Sequence, residues 1–471
     1  MKINIGYEFN SSAKTLDPSK IEDIYQSNLI ENLYSRIIEY DTKGNLTCVL
    51  CKKFWIEKST IVFEFRNDIK TIDGIVISAD DAKLSYQRLI NSKTNTHGNF
   101  SNFIDIENSN SISTVGNILR IEVLKPHYVQ FVLPLLASMD FSIITSKAID
   151  EEKKLGYLEL RNTSGPYYLK QDDESGKLIL HANLHHPFYS KSMAQEINIV
   201  PVVYGHGIDD FLDDKIDVLD VTYYPSLPQY ERLFNQKIKK FNAHKTLLIN
   251  VFLINFSLRA NKKFTSEQLF YAGSIVSDIC KGFKKYGYGF QDVFEFFQST
   301  GTGHLNESQI EHLKKLRLVD KKINFTTPIE LGVSQIVFEK MKKAFEQYPE
   351  IKVRSFPIDP ASMPAEERPD MYLQTTDSSF NEDISLMSYN FSMGYFGTSK
   401  IEGDNWIKDF SDLPNKEDRV KKLQNFQLNL LEKPIIMPIG ASPYWAIARE
   451  DLELNFAENF PGSSWWKIRK K

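Results

Sequence analysis

Large apolar side chains occupy every second position between residues 61 and 66, and this period predicts a β-strand. The dipeptide Asp73-Gly74 then predicts a turn, because glycine accepts the positive φ that many tight turns need. Ser78 and Asp81 form an S-x-x-D capping pair, and the apolar positions that follow have helical spacing up to residue 90. The stretch therefore predicts a strand, a turn and a capped helix in that order.

Similar patterns predict an alternation of strands and helices elsewhere. Residues 3–7 alternate as a first strand, and the apolar positions between 21 and 38 have the spacing of a helix. A strand that begins at Ile323, a helix with Val333 to Phe345 on one face, and a strand from Ile351 to Val353 predict a βαβ unit. The second half of the chain is therefore expected to be α/β, with a late helix around residues 420–430.

Composition narrows the class of protein. The chain has 471 residues, and at roughly 100–200 residues per domain it should form two to four compact units. The net charge is −4 with both signs mixed along the chain, so it lacks the basic face that nucleic-acid binding requires. No apolar run approaches the roughly 20 residues needed to span a bilayer. The 32 Phe and 22 Tyr suit large cores, and they would also suit a cleft lined with rings.

The order of residues in the 61–90 stretch indicates a protein family. Residues 63–82 read F-E-F-R-N-D-I-K-T-I-D-G-I-V-I-S-A-D-D-A, which resembles the signature of the peptide-type extracellular solute-binding proteins of ABC importers, family 5, whose members bind oligopeptides, dipeptides or nickel. The T-L-D-P turn at residues 15–18 and the S-G-P-Y-Y-L run at 164–169 are similar to further motifs of that family. Two departures are Ile72, where the family has His, and the missing Pro after Gly74. We interpret this signature as scaffold rather than ligand contact.

The resemblance implies an α/β fold of two lobes, the type II periplasmic-binding-protein fold with an extra inserted subdomain. Two hinge strands, near Leu247–Asn255 and Glu432–Gly440, would join the lobes. The expected boundaries are 1–45 for the first lobe, 46–165 for the inserted subdomain, 166–246 for the first lobe again, 247–438 for the second lobe and 439–471 for the return to the first lobe.

The resemblance also implies a function. A receptor of this family captures peptides or a related small solute by closure of its lobes and delivers it to an ABC permease complex in the membrane. We expect a periplasmic or extracellular protein, anchored to the membrane as a lipoprotein. The printed chain begins with what we interpret as its first strand, so we expect the signal peptide of such a protein to have been removed.

Enzyme chemistry is not predicted. The sequence has no G-x-S-x-G elbow, no H-E-x-x-H helix and no paired C-x-x-C motifs. We therefore expect a monomeric binding protein without catalytic residues, metal or cofactor, and without a nucleic-acid partner.

The residue that holds the ligand's amine is in question. Peptide-binding members hold the peptide's N-terminal ammonium with an Asp in a D-Y-x-x-P-like segment, and a carboxylate in a dry cleft pairs strongly with that group. Here Ser379 aligns with this Asp, Asp377 lies two residues earlier, and no Pro follows. Asp377 either replaces the missing Asp through a shift of the loop or caps a turn. The departure also keeps open a specialised receptor for a nickel chelate, a sugar or an opine.

Aromatic side chains supply further candidates, because they combine apolar walls with polar tips. The predicted ligand-binding residues beside Asp377 and Ser379 are Phe380, Tyr389, Tyr395, Phe396, Trp406, Tyr444 and Trp445. The loop at residues 10–16 is another candidate, since family members bring the equivalent loop to the mouth of the cleft.

The cysteine and histidine residues give weaker indications of a redox or metal site. Cys48 and Cys51 form a lone C-x-x-C, and a redox or zinc role would require a second pair or a thioredoxin-like context. We interpret them as two small residues at the edge of the first lobe. His181, His185 and His186 lack the spacing of a metal site, and we expect them to be loop histidines.

Overall fold

The structure is a computed structural model. It describes the chain apart from residues 8–15, 22–23, 42–43, 93–99, 156–158, 172–177, 204–205, 223–232, 234–239, 248–249, 283–290, 298–300, 318–322, 336–337, 359, 361–362, 365, 377–382 and 459–462. Two compact units divide the chain. The first unit contains Met1–Thr246 and Tyr444–Lys471, and the second contains Leu247–Pro443, so the chain passes from one unit to the other twice.

The segment up to Thr246 forms short strands and helices. Its strands are β1 (Lys2–Tyr7), β2 (Ile38–Tyr40), β3 (Leu46–Cys48), β4 (Cys51–Glu57), β5 (Thr60–Phe65), β6 (Ile112–Val115), β7 (Ile118–Glu122), β8 (Glu159–Leu160), β9 (Tyr167–Gln171), β10 (Leu178–Ala182), β11 (Glu196–Pro201), β12 (Val218–Thr222) and β13 (Phe241–Lys245). Its helices are α1 (Ile24–Leu33), α2 (Ala79–Ser92), α3 (Val129–Leu136), α4 (Ser146–Leu155) and α5 (Gly207–Leu212), with 3-10 turns at Pro18–Lys20, Pro126–Tyr128 and Met139–Phe141.

Among its described residues, the second unit has five strands and seven helices. The strands are β14 (Asn250–Phe256), β15 (Ile329–Ser334), β16 (Ile351–Phe356), β17 (Met371–Thr376) and β18 (Ile436–Ser442). The helices are α6 (Leu258–Lys263), α7 (Ser266–Gly282), α8 (Glu307–Arg317), α9 (Phe338–Ala344), α10 (Asp383–Ser392), α11 (Lys400–Ser411) and α12 (Lys416–Leu431). After it, the chain forms β19 (Trp445–Arg449), β20 (Leu452–Leu454), a 3-10 turn at Trp465–Lys467 and β21 (Ile468–Lys470).

The first unit has a mixed eight-stranded sheet in the order β13-β19-β12-β1-β11-β10-β9-β8. Strand β1 runs parallel to β11 and β12, and the other neighbours are antiparallel. A separate four-stranded sheet has the order β4-β5-β7-β6. The predicted strand near residue 61 is confirmed as β5, which is central in this sheet. The predicted capped helix is confirmed as α2, because Ser78 N donates to Asp81 Oδ2 at 2.9 Å and Asp81 N donates to Ser78 Oγ at 3.3 Å.

The return segment packs into the core of the first unit. Trp465 is fully buried, and its ring meets that of Tyr7 edge to face with centroids 6.0 Å apart. The Trp465 indole N–H donates to Asp220 Oδ2 at 2.7 Å, and its backbone N–H donates to Asn32 Oδ1 at 2.9 Å. Asn32 also donates to the Ser463 carbonyl at 2.9 Å, and the Ser463 hydroxyl donates to Asp220. We call these four residues, Asn32, Asp220, Ser463 and Trp465, the C-terminal anchor.

The second unit has a five-stranded sheet in the order β16-β15-β17-β14-β18. Strands β15 and β16 are parallel and joined by α9, which confirms the predicted βαβ unit. Two details of that prediction are wrong. The strand begins at Ile329 rather than Ile323, just after Pro328, which has no N–H for a sheet ladder. Val333, predicted on the helix, is a buried residue of β15, because Ile351 to Phe356 pair with residues 329–334.

Cys48 and Cys51 form a disulfide, so their interpretation as two unremarkable small residues is wrong. The chain turns from β3 into β4 at Val49 and Leu50, and this corner brings the two Cα atoms to 5.1 Å. That separation is within the range that a disulfide bridges. The pairing depends on the geometry of the corner, which spacing alone does not determine.

Histidine positions also differ from expectation. His181 lies in strand β10 rather than in a loop, and its ring stacks on Tyr168. His186 is buried, with its Nε2 2.9 Å from Ser35 Oγ, while its Nδ1 accepts from the Phe188 N–H at 3.2 Å. Burial, with a smaller contribution from the Arg66 charge, lowers the pKa of His186 to about 3. Within the described ranges, no group of three or more His, Cys, Asp or Glu residues could hold a metal ion.

Candidate functional site

The predicted ammonium site follows the end of β17. Thr376 is the last residue of that strand, and the next six positions in the sequence include Asp377, Ser379 and Phe380. These three residues lie outside the described part of the chain, so their role stays a prediction. The described residues on either side are Thr376 and Asp383, and they define the candidate site.

Two of the predicted aromatic residues belong to a cluster of rings in the second unit. The buried ring of Phe396 lies 5.0 Å from that of Phe391 and 5.2 Å from that of Phe426, centroid to centroid. Trp406 is half-buried and stacks on Phe410 with centroids 5.3 Å apart. These contacts give both residues a packing role. A ligand contact for Phe396 or Trp406 remains a prediction.

A buried arginine, Arg368, packs against Tyr395. The guanidinium carbon of Arg368 lies 5.0 Å from the centre of the Tyr395 ring and 5.6 Å from that of Tyr372. Arg368 also donates to the carbonyl of Met393 at 2.8 Å, which holds the turn before Tyr395. Burial, together with the neighbouring Tyr389, raises the pKa of Tyr395. The Tyr389 ring lies 6.2 Å from that of Tyr395, and Tyr389 is 39% exposed whereas Tyr395 is buried.

The last two predicted residues belong to the first unit, directly after the second crossing of the chain. The backbone N–H of Tyr444 donates to Thr246 Oγ1 at 2.9 Å, and the N–H of Thr246 donates to the Tyr444 carbonyl at 3.0 Å. Trp445 begins β19 and pairs with Lys245 on one side and Thr222 on the other. The two crossing points of the chain are therefore joined by these two hydrogen bonds.

Asn250 was missed by sequence reasoning. It is the first residue of β14, its side chain is 1% exposed, and among the described residues neither its Nδ2 nor its Oδ1 has a hydrogen-bond partner. Its Cα partner is Ser442 at the end of β18, and the next residue, Val251, pairs with Thr376. The first residue of β14, Asn250, thus lies at the same end of the sheet as the last residue of β17. The signal in the sequence was an amide side chain within an apolar run.

A buried amide without hydrogen-bond partners is informative because it lowers the stability of the folded protein. A buried polar group without a partner destabilises a protein by about 1–3 kcal/mol, and buried side-chain polar atoms nearly always have one. The amide of Asn250 has donor and acceptor capacity to offer to a ligand. It can hydrogen-bond a group that both donates and accepts, such as a peptide unit.

Asp383 is the second residue that sequence reasoning passed over. It is buried at the first position of α10, where its carboxylate accepts from the backbone N–H of Thr302 at 2.8 Å and from the Thr302 hydroxyl. Burial raises the pKa of Asp383, and the Thr302 hydrogen bonds partly oppose that shift. Nearby, His304 Nδ1 lies 2.8 Å from Glu295 Oε1, and this contact raises the pKa of His304. Asp383 is therefore a buried carboxylate close in sequence to the predicted ammonium site.

Comparisons with known proteins define the class. Residues 48–269 match the sequence profile described as bacterial extracellular solute-binding proteins, family 5 Middle. Periplasmic oligopeptide-binding protein OppA of Salmonella typhimurium is 24% identical over 231 residues, which are 45% of this chain and 41% of OppA. Periplasmic murein peptide-binding protein MppA of Escherichia coli is 22% identical over 203 residues, which are 40% of this chain and 37% of MppA. The alignments thus span about two fifths of the length of these relatives.

Solved structures share the fold over the entire chain. A dipeptide-binding protein from Pseudoalteromonas sp. SM9913 in complex with Met-Leu has a TM-score of 0.78 at 15% identity, with 100% of both chains covered. NikA from Staphylococcus aureus in complex with Ni(L-His)2 has a TM-score of 0.73 at 14% identity, again with full coverage of both. AgaA of Agrobacterium tumefaciens R10 in complex with agropinic acid has a TM-score of 0.71 at 13% identity, covering 100% of this chain and 99% of AgaA.

The solved structures show that this chain has the α/β fold of the periplasmic binding proteins. Residues 48–269 are similar to family 5 of the bacterial extracellular solute-binding proteins, and this segment makes up somewhat less than half of the chain. That family is one of binding proteins rather than of enzymes. In the part of the chain that the structure describes, no helix has the length and apolar character needed to cross a membrane.

Proposed function

We propose that the protein is an extracytoplasmic receptor that captures peptides or a related small solute and delivers it to an ABC importer. The observation that carries the proposal is the match of the whole chain to solute-binding folds, combined with the family profile over residues 48–269. Capture would occur by closure of the two lobes, driven by contacts that the ligand makes in the closed state. The receptor would act as a monomer without catalysis, cofactor or nucleic acid, in contact with an ABC permease complex.

Two described residues are proposed to contribute to ligand recognition. The open amide of Asn250 would hydrogen-bond a peptide unit of the solute, which removes the cost of its unpaired donor and acceptor. Asp383 would contribute negative charge near the ligand's ammonium group if Asp377 does not. Tyr389, a partly exposed residue, would add an apolar wall.

The alternative ligand class is a non-peptide solute such as a nickel chelate, a sugar or an opine. Two solved proteins of the same fold were crystallised with Ni(L-His)2 and with agropinic acid. The departure of residues 377–379 from the ammonium-binding pattern favours this alternative. It keeps the same receptor role and differs in the chemistry of the solute.

The Cys48–Cys51 disulfide supports a location outside the cytoplasm, because disulfides persist in oxidising compartments. We propose that the protein is periplasmic or extracellular and held at the membrane as a lipoprotein after removal of a signal peptide. The curated relatives OppA and MppA are both named periplasmic.

Mass spectrometry of small molecules released on denaturation tests the proposal first. A ladder of short peptides supports the peptide receptor, and a single non-peptide species supports the alternative. A thermal-shift series with Met-Leu, its N-acetylated form, Ni(L-His)2 and agropinic acid then ranks the classes. A solute at 100 times its Kd should stabilise the folded protein by about 2.7 kcal/mol. If nothing is released and no probe of these classes raises the unfolding temperature, the receptor proposal is wrong.

A further inference from the structure

The disulfide faces an open groove in the first unit. A groove of about 610 Å³ is lined by both sulfur-bearing residues and by Lys52, Glu64, Arg66 and Asp68, among others. We call it the disulfide groove. None of the predicted ligand-binding residues lines it, and the proposed transport function does not require it. The groove therefore calls for an explanation of its own.

The two sulfur-bearing residues differ in exposure. Cys48, at the end of β3, is half-buried, whereas Cys51, the first residue of β4, is 2% exposed. Both residues line the groove, and Cys48 is the more exposed, so we expect an external thiolate to attack Cys48 in preference to Cys51. Disulfides are opened by attack on one sulfur, with the other leaving. The exposure thus determines which sulfur is attacked and which one leaves.

Loop length argues against stabilisation as the main role of the disulfide. The two cysteines are three residues apart, and the constraint that a disulfide places on the unfolded chain is smallest for such short loops. The corner is also held without it. Val49 and Leu50 both donate backbone N–H bonds to the Ile37 carbonyl, at 2.9 and 3.2 Å, and Arg66 N donates to the Leu50 carbonyl at 3.0 Å. The fold is therefore expected to survive opening of the disulfide.

The groove also accommodates the reduced state. Cys51 Sγ lies 3.5 Å from the Ile37 carbonyl oxygen, so a thiol there has an acceptor for its hydrogen. The groove is lined by two cations and two carboxylates, with Lys52 paired to Glu64 at 3.3 Å and Arg66 to Asp68 at 2.6 Å. Their formal charges cancel, so an approaching thiolate meets no net repulsion.

We propose that Cys48–Cys51 is a thiol–disulfide exchange site for an external dithiol. One thiolate of the dithiol attacks Cys48 Sγ, the bond to Cys51 breaks, and Cys51 leaves as a thiolate that takes up a proton. The second thiol of the partner, after losing its proton, attacks the partner sulfur of the mixed disulfide and releases Cys48 as a thiolate, which takes up the second proton. Two electrons and two protons pass from the dithiol to the protein, and the partner becomes a disulfide. The reverse reaction oxidises a partner dithiol.

Reduction of the folded protein tests the proposal. The intact chain is treated with dithiothreitol, quenched with an alkylating agent and digested for mass spectrometry, while near-ultraviolet circular dichroism reports tertiary structure. We expect Cys48 and Cys51 to become alkylated while the spectrum stays native. Cys280 is an internal comparison, since burial raises the pKa of its thiol to about 12 and it should react slowly. A disulfide that opens only together with loss of the native spectrum would overturn the proposal.

Single-cysteine variants test the direction of attack. In a Cys280→Ser background, Cys51→Ser leaves Cys48 as the free thiol, and Cys48→Ser leaves Cys51. The thiolate of Cys48 should attack oxidised glutathione, forming a mixed disulfide and releasing reduced glutathione, at least tenfold faster than Cys51 does. Equal rates would contradict the assignment of Cys48 as the more reachable sulfur. Because this readout contains no transported solute, its failure would leave the receptor proposal untouched.

A matched pair of lysine variants tests the groove as the path of approach. Lys52 lines the groove, and its neighbour Lys53 does not, although both form ion pairs with Glu64. Oxidised glutathione is an anion, so Lys52→Gln should slow its reaction with Cys48 about two- to fivefold at low salt, with little change in Lys53→Gln. Equal slowing in both variants would overturn this path.

Discussion

Two sets of buried polar side chains, one set in each unit, use their hydrogen-bonding atoms differently. In the C-terminal anchor of the first unit, Asp220 accepts from the Trp465 indole and from Ser463, while Asn32 donates and accepts across the same segment. In the second unit, Asn255 donates to Gln374 Oε1 at 2.6 Å, but within the described ranges Asn255 Oδ1 and Gln374 Nε2 have no partner, as is true of both polar atoms of Asn250.

This difference distinguishes polar groups that stabilise the fold from polar groups that could bind a ligand. A buried network in which each group is paired makes one arrangement of the chain much better than others. An unpaired buried amide destabilises the fold and is retained where something else uses it. The C-terminal anchor is therefore expected to contribute to stability, and the unpaired amide of Asn250 to contribute to ligand binding. Each of the following variants would break or sharpen that contrast.

Asp220→Ala should give the largest effect. It removes the acceptor for Trp465 and Ser463 and leaves two buried donors unpaired, so the free energy of unfolding should fall by roughly 3–4 kcal/mol. Urea unfolding followed by tryptophan fluorescence measures the change. Asp213→Ala is the control, because that side chain is 57% exposed and should cost less than about 0.5 kcal/mol. A loss below 1 kcal/mol for Asp220→Ala would mean that the anchor is not a main source of stability.

Acid should weaken the first unit through His186. Its folded pKa of about 3 is below the unfolded value near 6.5, so its neutral form contributes stability above pH 6.5 that is lost as the pH falls toward 3. Between pH 6.5 and 5 the loss should reach up to about 2 kcal/mol, since each pH unit corresponds to about 1.36 kcal/mol. His186→Gln should flatten this dependence.

His185→Gln is the matched control, because His185 is the adjacent residue and is exposed. Urea unfolding at pH 6.5, 5.8 and 5 gives the slopes. If His186→Gln and His185→Gln keep the same slope as the unmodified chain, the neutral buried imidazole is not the cause of the acid sensitivity.

Asn250→Leu should separate stability from binding. Replacing the unpaired amide with an apolar group of similar size should raise the free energy of unfolding by about 1 kcal/mol. Binding of the peptide released from the purified protein should weaken at least tenfold, or about 1.4 kcal/mol. Calorimetric titration and urea unfolding provide the two numbers.

Asn255→Leu serves as the control for that pair of measurements. It breaks the hydrogen bond to Gln374, so it should lower stability rather than raise it. If Asn250→Leu also lowers stability and leaves ligand affinity unchanged, Asn250 has a structural role and the contrast between the two units disappears.

Asp383→Asn should give the smallest effect, with the opposite pH dependence to His186. Burial raises the folded pKa of Asp383, so its stabilising contribution is present below the unfolded pKa and is lost as the pH rises through the folded pKa. The neutral Asn should therefore stabilise the protein more at pH 7 than at pH 3.5. Asp370→Asn is the control, because Asp370 accepts from Arg259 and Lys263 and should lose stability at pH 7. A larger gain at pH 3.5 than at pH 7 would contradict the burial of a charged Asp383.

Local patterns predicted several elements correctly. The strand near residue 61 and the helix capped by Ser78 are confirmed because their signals, period and cap, lie within a few residues of the element. The βαβ unit is confirmed in order, although Val333 moved from helix to strand. In that case the pairing of β15 with β16 outweighed the apolar spacing that also suits a helix.

The candidate site was less predictable, for reasons of tertiary structure. Asn250 is one amide in an apolar run. That its donor and acceptor have no partner among the described residues is visible only when the neighbouring strands are in place. The Cys48–Cys51 pairing needed the corner between β3 and β4. The roles of Asp377, Ser379 and Phe380 rest on family resemblance and stay predictions.

The C-terminal anchor also has a consequence for the order in which the two units fold during synthesis. Trp465 and its acceptor Asp220 are 245 residues apart in sequence, and the whole of the second unit is translated between them. The second unit can complete its sheet once residue 443 has left the ribosome, whereas the first unit cannot close its core until Trp465 has been synthesised. The folding of the first unit is therefore completed only at the end of synthesis, after the whole second unit has been made.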